Sequence, residues 1–272
     1  MGKFDGFLFC TDLDGTLYRN DKTVSKENLE AIEYFKSEGG LFTFITGRVP
    51  KTSISICETI KPNAPYGCIN GGGIFDAEKN EYLWSMPLAD GVKELIDTVS
   101  KELPQVAIQA NTKNDIFFLK DNSAMVRFRK VTGVPNIKKT FDEINEPILK
   151  IVFADENEDT ILQVEKLLNN HPFADKFDFI RSERRLYEIL PKGVSKGKLV
   201  LKLAELLKID PNKTIAVGDY NNDISMIESA GIGYAVANAN QAVKAVADRI
   251  TVSNEEHAIA TIIKELEREI NP

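Results

Sequence analysis

The chain has 272 residues, 43% of them hydrophobic and 28% charged, ordinary globular values that exclude a disordered or fibrous class. That length fits two domains and leaves ample material for a buried core. Lysine and arginine total 34 against 41 acidic residues, a net charge of −7, so no nucleic-acid or anionic-membrane surface is expected. Cys10, Cys57 and Cys68 are widely spaced, odd in number and form no C-x-x-C pair, which reads as reduced thiols rather than a disulfide framework or a zinc site. No segment approaches the roughly 20 apolar residues of a membrane span, and the first residues lack the pattern of a signal peptide, so a cytoplasmic protein is expected.

In chain order, residues 6–10 read as a strand that breaks into a loop carrying Asp12 and Asp14. Residues two apart on an extended chain point to one side, so both acids can face one pocket. Gly15 permits an immediate turn and Thr16 adds a hydroxyl, although Asp and Gly are also common in turns that do nothing else. Ser25 caps a helix ending near Glu38, with Val24 placed to staple onto Leu29, and with Leu29, Ile32 and Phe35 on its apolar face. Residues 41–45 form an almost continuous apolar run, the pattern of a strand buried on both faces of a parallel sheet. That run ends in Thr46-Gly47-Arg48, and Pro50 sits where the next helix starts. A short strand over 66–69 meets Asn70-Gly71, and residues 74–76 and 82–84 suggest a small hairpin.

The pattern changes near residue 85. Helices over 91–102, 122–131 and 160–169 alternate with strands over 105–109, 115–119 and 149–153, and strands over 177–182 and 186–190 finish the middle pattern. This predicts a separate α+β layer, one sheet covered by helices on one face. From Lys192 the first pattern resumes: a helix capped by Ser195, a strand over 214–217 ending in Gly218-Asp219-Tyr220-Asn221-Asn222-Asp223, a helix over 224–230 and a strand over 233–237. Residues 253–256 read as a capping box that starts a terminal helix. The expected architecture is a doubly wound, mostly parallel Rossmann-like α/β core over 1–84 and 186–272. An α+β cap domain over 85–185 is inserted into it.

Asp12, Asp14, Asp219 and Asp223 all fall at or just past strand-to-loop junctions, where ligands bind in such sheets. At an effective dielectric near 20, two carboxylates ~4 Å apart repel by ~4 kcal/mol, so their gathering calls for a cation. Oxygen ligands without histidine favour Mg²⁺. His171 and His257 lie far from every motif and read as surface residues. A phosphate dianion then becomes an acceptable ligand, with Lys196 as a fixed counter-charge and Thr46 and the amides after it as hydrogen-bond donors. Taken alone, Lys196 and Arg48 read as solvated side chains and Asn70-Gly71 as a turn. One aspartate can attack the phosphorus while the other protonates the leaving alcohol and later activates water.

The set Asp12-Leu-Asp-Gly-Thr16, Thr46-Gly-Arg48, Lys196 and Gly218-Asp219 through Asn222-Asp223 resembles, in order and spacing, the four motifs of haloacid dehalogenase (HAD) superfamily phosphatases. The large insertion between the second and third motifs, with Asn70-Gly71 and Val236-Ala-Asn238-Ala, resembles the Cof-type branch. The resemblance implies Asp12 as nucleophile and Asp14 as general acid and base. It implies Mg²⁺ on Asp12, the Asp14 main-chain carbonyl and Asp219, with Asp223 helping through water. Thr46 and Lys196 would hold the phosphoryl group and Asn222 would support the fourth motif. Gly47, Arg48, Asn70, Gly71 and Asn238 complete the expected substrate side. The implied activity is hydrolysis of a small phosphorylated metabolite, sugar phosphates first, by a monomer or homodimer. A phosphosugar mutase or phosphotransferase on the same core and a non-enzymatic phosphoacceptor module are the alternatives.

Overall fold

The computed structural model describes residues 2–270; Met1, Asn271 and Pro272, assigned by sequence to the two core segments, lie outside the described residues. Two compact units are present, one formed by Met1–Gly47, Ile54–Trp84 and Ser195–Pro272, the other by Arg48–Ser53 and Ser85–Val194.

The first unit is built on a five-stranded sheet. Across it lie Arg249–Ile250, Ile232–Ala235, Thr214–Gly218, Leu8–Thr11 and Leu41–Phe44, every neighbouring pair parallel. Leu8–Thr11 is buried along its whole length because both faces are covered. Leu8 and Cys10 pack with Leu199, Val200 and Leu203 of the helix Lys196–Leu207. Phe9 turns the other way and meets Phe35 of the helix Lys26–Ser37. That helix in turn packs on the terminal helix Ala258–Ile270. Successive side chains of one strand thus serve two helical layers, which is the doubly wound arrangement.

Register decides where the chemistry sits. Thr11 pairs with Val217 on one side and with Phe44 on the other, so these three strands end level. The chain leaves Leu8–Thr11 toward Leu41–Phe44 on one side, while the strands from the distant second segment lie on the other. Their shared edge is therefore a topological switch point, open at the strands' C-terminal ends. The hairpin expected over 74–76 and 82–84 is present as Gly73–Asp76 and Glu81–Ser85, and it extends Tyr66–Cys68 into a three-stranded sheet.

The second unit carries a six-stranded sheet in the order Phe177–Glu183, Leu186–Pro191, Lys150–Ala154, Ala107–Asn111, Ile116–Lys120 and Ile137–Lys138. Pairing is antiparallel except at the last edge. The helices Val92–Glu102 and Glu158–Asn169 cover one face, with Leu95, Val99, Ile161 and Val164 packed on Ile108, Ile151 and Phe153. The opposite face mixes buried polar side chains with apolar ones such as Val152 and Leu190. Lys150 pairs with Glu188 at 3.0 Å, Ser182 donates to Glu188 at 2.6 Å, and Gln109 donates to Asn111 at 2.8 Å.

Two expected boundaries move. The insertion runs to Val194 rather than to residue 185, because Leu186–Pro191 pairs with Phe177–Glu183 on one side and with Lys150–Ala154 on the other. Arg48–Ser53, expected within the core, groups with the second unit, where Lys51 pairs with Asp115 at 2.6 Å. The capping box at Ser253 exists but closes only the short turn Asn254–Glu256. His257 then takes φ +64°, and the terminal helix starts anew at Ala258.

Candidate active site

Asp12 lies directly beyond its strand, its amide donating to Val217 O at 2.9 Å, which continues the parallel ladder into the loop. Lys196 enters from the start of its helix. Ser195 caps that helix by accepting from the Lys198 amide at 3.2 Å. Gly197 lets the helix approach its neighbour, since a Cβ there would overlap the Ser225 carbonyl oxygen. The result is a buried ammonium, 1% exposed, whose Nζ lies 2.5 Å from Asp12 Oδ1 and 2.6 Å from Asp223 Oδ1. A lysine is rarely buried unless it is paired, and this one is paired twice.

Asp223 is fully buried, and its other oxygen accepts from the Asp219 and Tyr220 amides at 2.9 and 3.0 Å. It therefore folds the acidic turn while holding Lys196. Asp219 accepts from the Thr16 hydroxyl at 3.0 Å. Gly15, at φ +84°, sits so close that a Cβ would lie 2.5 Å from Asp219 Oδ2. One carboxylate oxygen from each of Asp12, Asp219 and Asp223 falls within 4.8 Å of the others.

Charge follows from this crowding. Burial, then repulsion from Asp223, pushes the Asp12 carboxyl well above the usual carboxylate range, against the pull of Lys196. Asp219 is pushed up to about 7 by burial and by Asp223, with the Thr16 hydrogen bond acting in the opposite direction. Burial pulls the Lys196 ammonium down, but Asp12 and Asp223 together outweigh it and hold it above its ordinary value. A buried cluster of hard oxygen donors whose charge is only partly balanced is chemistry that suits a divalent cation such as Mg²⁺.

The other expected residues separate into groups. The Asp14 carboxylate is not part of the three-acid group; it pairs with Lys22 at 2.9 Å on the half-exposed side of the loop. Thr46 is buried, accepts from the Asn70 amide at 3.1 Å and donates its own amide to Gly67 O at 3.0 Å. Gly47 lies against the Asn70 side chain, whose carboxamide atoms would be 2.9 Å from a Cβ. Asn222 donates to Asn70 Oδ1 at 3.0 Å, which joins two predicted residues 152 positions apart. Gly71 packs on the backbone of Ser195. Asn238 donates to Gly15 O at 2.8 Å and accepts from the Asn254 amide at 3.0 Å, tying the first loop to the last turn. Arg48 falls in the second unit, where its guanidinium donates to Thr52 O at 3.3 Å.

Sequence reasoning did not identify Lys22 or the Thr16–Asp219 bond. Lys22 gives no signal beyond a charge in a turn, and Thr16 was visible only as a hydroxyl beside two acids. Arg181, Arg184 and Arg185 pair with Glu158, Glu158 and Glu156.

The model of the haloacid dehalogenase-like hydrolase family matches residues 9–263. The 5-amino-6-(5-phospho-D-ribitylamino)uracil phosphatase YitU of Bacillus subtilis (strain 168) is 29% identical over 265 residues, spanning 95% of this chain and 97% of its own length. A haloacid dehalogenase-like hydrolase from Bacteroides thetaiotaomicron superposes with a TM-score of 0.83 at 24% identity, covering 96% of this chain and 99% of that one. A sugar phosphatase described as HAD subclass IIB superposes with a TM-score of 0.84 at 22% identity, covering 97% and 99%. At those identities the two structures show the fold. No helix among the described residues is long and apolar enough to cross a membrane. Taken with the acidic cluster and its buried lysine, these matches show that the chain belongs to the haloacid dehalogenase-like hydrolase family and is a phosphatase of its Cof-type branch.

Proposed function

We propose that this protein is a Mg²⁺-dependent phosphatase that hydrolyses small phosphorylated metabolites, sugar and polyol phosphates first, through an aspartyl-phosphate on Asp12. The observation that carries the reading is Lys196, buried between Asp12 and Asp223 at 2.5 and 2.6 Å. A lysine placed there fixes which oxygen of Asp12 is restrained and leaves a cationic lining for a phosphoryl group.

Asp12, the Asp14 main-chain carbonyl and Asp219 would hold the cation. Both Asp223 oxygens are engaged by Lys196 and the turn amides, which gives Asp223 an outer, supporting place. When bound, the cation supplies positive charge that admits a phosphate dianion among carboxylates and polarises its oxygens. Thr46 and Lys196 orient the phosphoryl group. With one Asp12 oxygen restrained by Lys196, the other attacks phosphorus as the bond from phosphorus to the leaving oxygen breaks, and Asp14, released from Lys22 and protonated from solvent, delivers its proton to that oxygen. Asp14 then takes a proton from water; the hydroxide attacks phosphorus, the phosphorus–Asp12 bond breaks, and inorganic phosphate and free Asp12 result. For this work the Asp14 carboxylate must leave Lys22, an exposed contact that costs about 1 kcal/mol or less to break.

YitU is named for removing phosphate from a phosphorylated ribityl chain, which supports sugar and polyol phosphates as the class to test first. The three cysteines are free, which suits a reducing cytoplasm. The test is release of inorganic phosphate from a metabolite panel with Mg²⁺, using Asp12→Asn as the blank. We expect that variant to stay folded and to lose activity by about a thousandfold or more. Phosphate released one-for-one with dephosphorylated product separates hydrolysis from a mutase or phosphotransferase. No turnover of any substrate by the wild type, or equal turnover by Asp12→Asn, overturns the proposal.

A further inference from the structure

Three consecutive residues, Ile69, Asn70 and Gly71, hold positive φ angles of +58°, +49° and +115°. Glycine adopts such a backbone freely and asparagine tolerates it, but a Cβ-branched isoleucine there is a strained occupant. Such a turn persists only where its surroundings over-determine it, and the surroundings here are three separate parts of the site. The Asn70 amide donates to Thr46 O at 3.1 Å, and Gly47 closes against the Asn70 carboxamide. Gly71 lies against Ser195, where a Cβ would stand 2.5 Å from its amide nitrogen, directly before Lys196. Asn70 Oδ1 accepts from Asn222 Nδ2 at 3.0 Å, and Asn222 immediately precedes Asp223 in the turn Asn221–Asp223.

We infer that Asn70 is a positioning residue: through Asn222 it sets the turn bearing Asp219 and Asp223 against the Thr46 turn and the start of the Lys196 helix. Asp223 depends on a one-turn element for its orientation, and both of its oxygens must be aimed, one at Lys196 and one at the Asp219 and Tyr220 amides. A three-residue turn has little stiffness of its own. The buried bond from Asn222 to the Asn70 carboxamide, carried on a backbone locked by strain and by contact, supplies that stiffness. The side chain of Asn70 thereby acts on the acids. Only the kinetic part of the test rests on the hydrolytic reading above.

Asn70→Gly keeps the left-handed backbone and deletes the carboxamide, so it is the informative variant. In the metal-free chain, we expect the Asp219 and Tyr220 amide protons to exchange about tenfold faster in this variant. Those of the strand Thr214–Gly218 should be unchanged. Equal exchange at Asp219 and Tyr220, or loss of protection throughout the strand, overturns the inference whether or not any phosphoester is turned over. In the active enzyme we expect kcat to fall about tenfold with KM moved less than about twofold, Asn222→Ala to match it, and the double variant to be no worse than either single one. A raised KM with unchanged kcat, or two losses that multiply, overturns it.

Discussion

Replacing Lys196 by methionine tests the electrostatic account most directly. Methionine has a similar length and fills the same buried space, so the change removes charge with little loss of packing. The wild-type ammonium sits 2.5 and 2.6 Å from two carboxylates. At an effective dielectric near 20, each pair attracts by about 6.5 kcal/mol, and burying the ammonium itself costs several kcal/mol of that. What remains after the substitution is worse than neutrality, because Asp12 and Asp223 are left facing each other and Asp219. Removing one partner of a buried pair typically destabilises by about 3–5 kcal/mol, and that is the expected loss in urea unfolding with chelator present. The same reasoning demands non-additivity. Adding Asp12→Asn removes one of the stranded charges, so the double variant should recover about 2 kcal/mol relative to the sum of the singles. A loss below about 1 kcal/mol for Lys196→Met, or strict additivity with Asp12→Asn, would refute the claim that this lysine balances the acids.

Two further outcomes follow from local geometry. Gly71→Ala combines φ +115° with a Cβ 2.5 Å from the Ser195 amide, so it should cost about 3 kcal/mol or more in urea unfolding; a loss under about 1 kcal/mol would show that the turn can move away from the Lys196 helix. Cys57 is raised to about 11, chiefly by burial, with the Tyr66 hydrogen bond opposing. The unfolded chain therefore gives up this proton first: the stabilisation is complete below about pH 9 and is lost as pH rises through about 11. Unfolding free energies across that window should fall more steeply for the wild type than for Cys57→Ser, and parallel profiles would contradict the assignment.

The core was legible because its signals are local. Residues 41–45 can only be a strand covered on both faces, and Asp12 and Asp14 advertise themselves by standing at the end of one. Lys196 reads as a counter-charge only once the acids call for one, since Val194-Ser-Lys-Gly-Lys198 by itself looks like any helix start. Its burial depends on Gly197 meeting Ser225, a contact between two helices that periodicity does not encode. The strand over 186–190 reads as the last of the middle pattern, and its pairing with both Phe177–Glu183 and Lys150–Ala154 carries the end of the insertion past residue 185. Arg249–Ile250 and Ile137–Lys138 are two residues each, too short for any period to register, and the six-residue helix Gln241–Val246 was missed for the same reason. That the Asn70 carboxamide meets Asn222 could not be read from the sequence, which lists donors and acceptors but not their partners.

Four aspartates of one chemical type come to differ here solely through what surrounds them. Asp223 is fully buried with both oxygens engaged, so it is the least able to take a new partner. Asp12 has one oxygen restrained by Lys196, which orients its carboxylate without neutralising the cluster. Asp219 is held by a single hydroxyl, and Asp14 faces half-exposed toward Lys22. Three clustered carboxylates against one ammonium leave two negative charges in a buried volume, and burial together with mutual repulsion raises Asp12 and Asp219. Protons relieve that excess singly, at the cost of a carboxylate each time. A divalent cation held there would relieve both charges at once and would leave Asp12 ionised. The arrangement of donors thus makes the four acids chemically unequal before any substrate arrives.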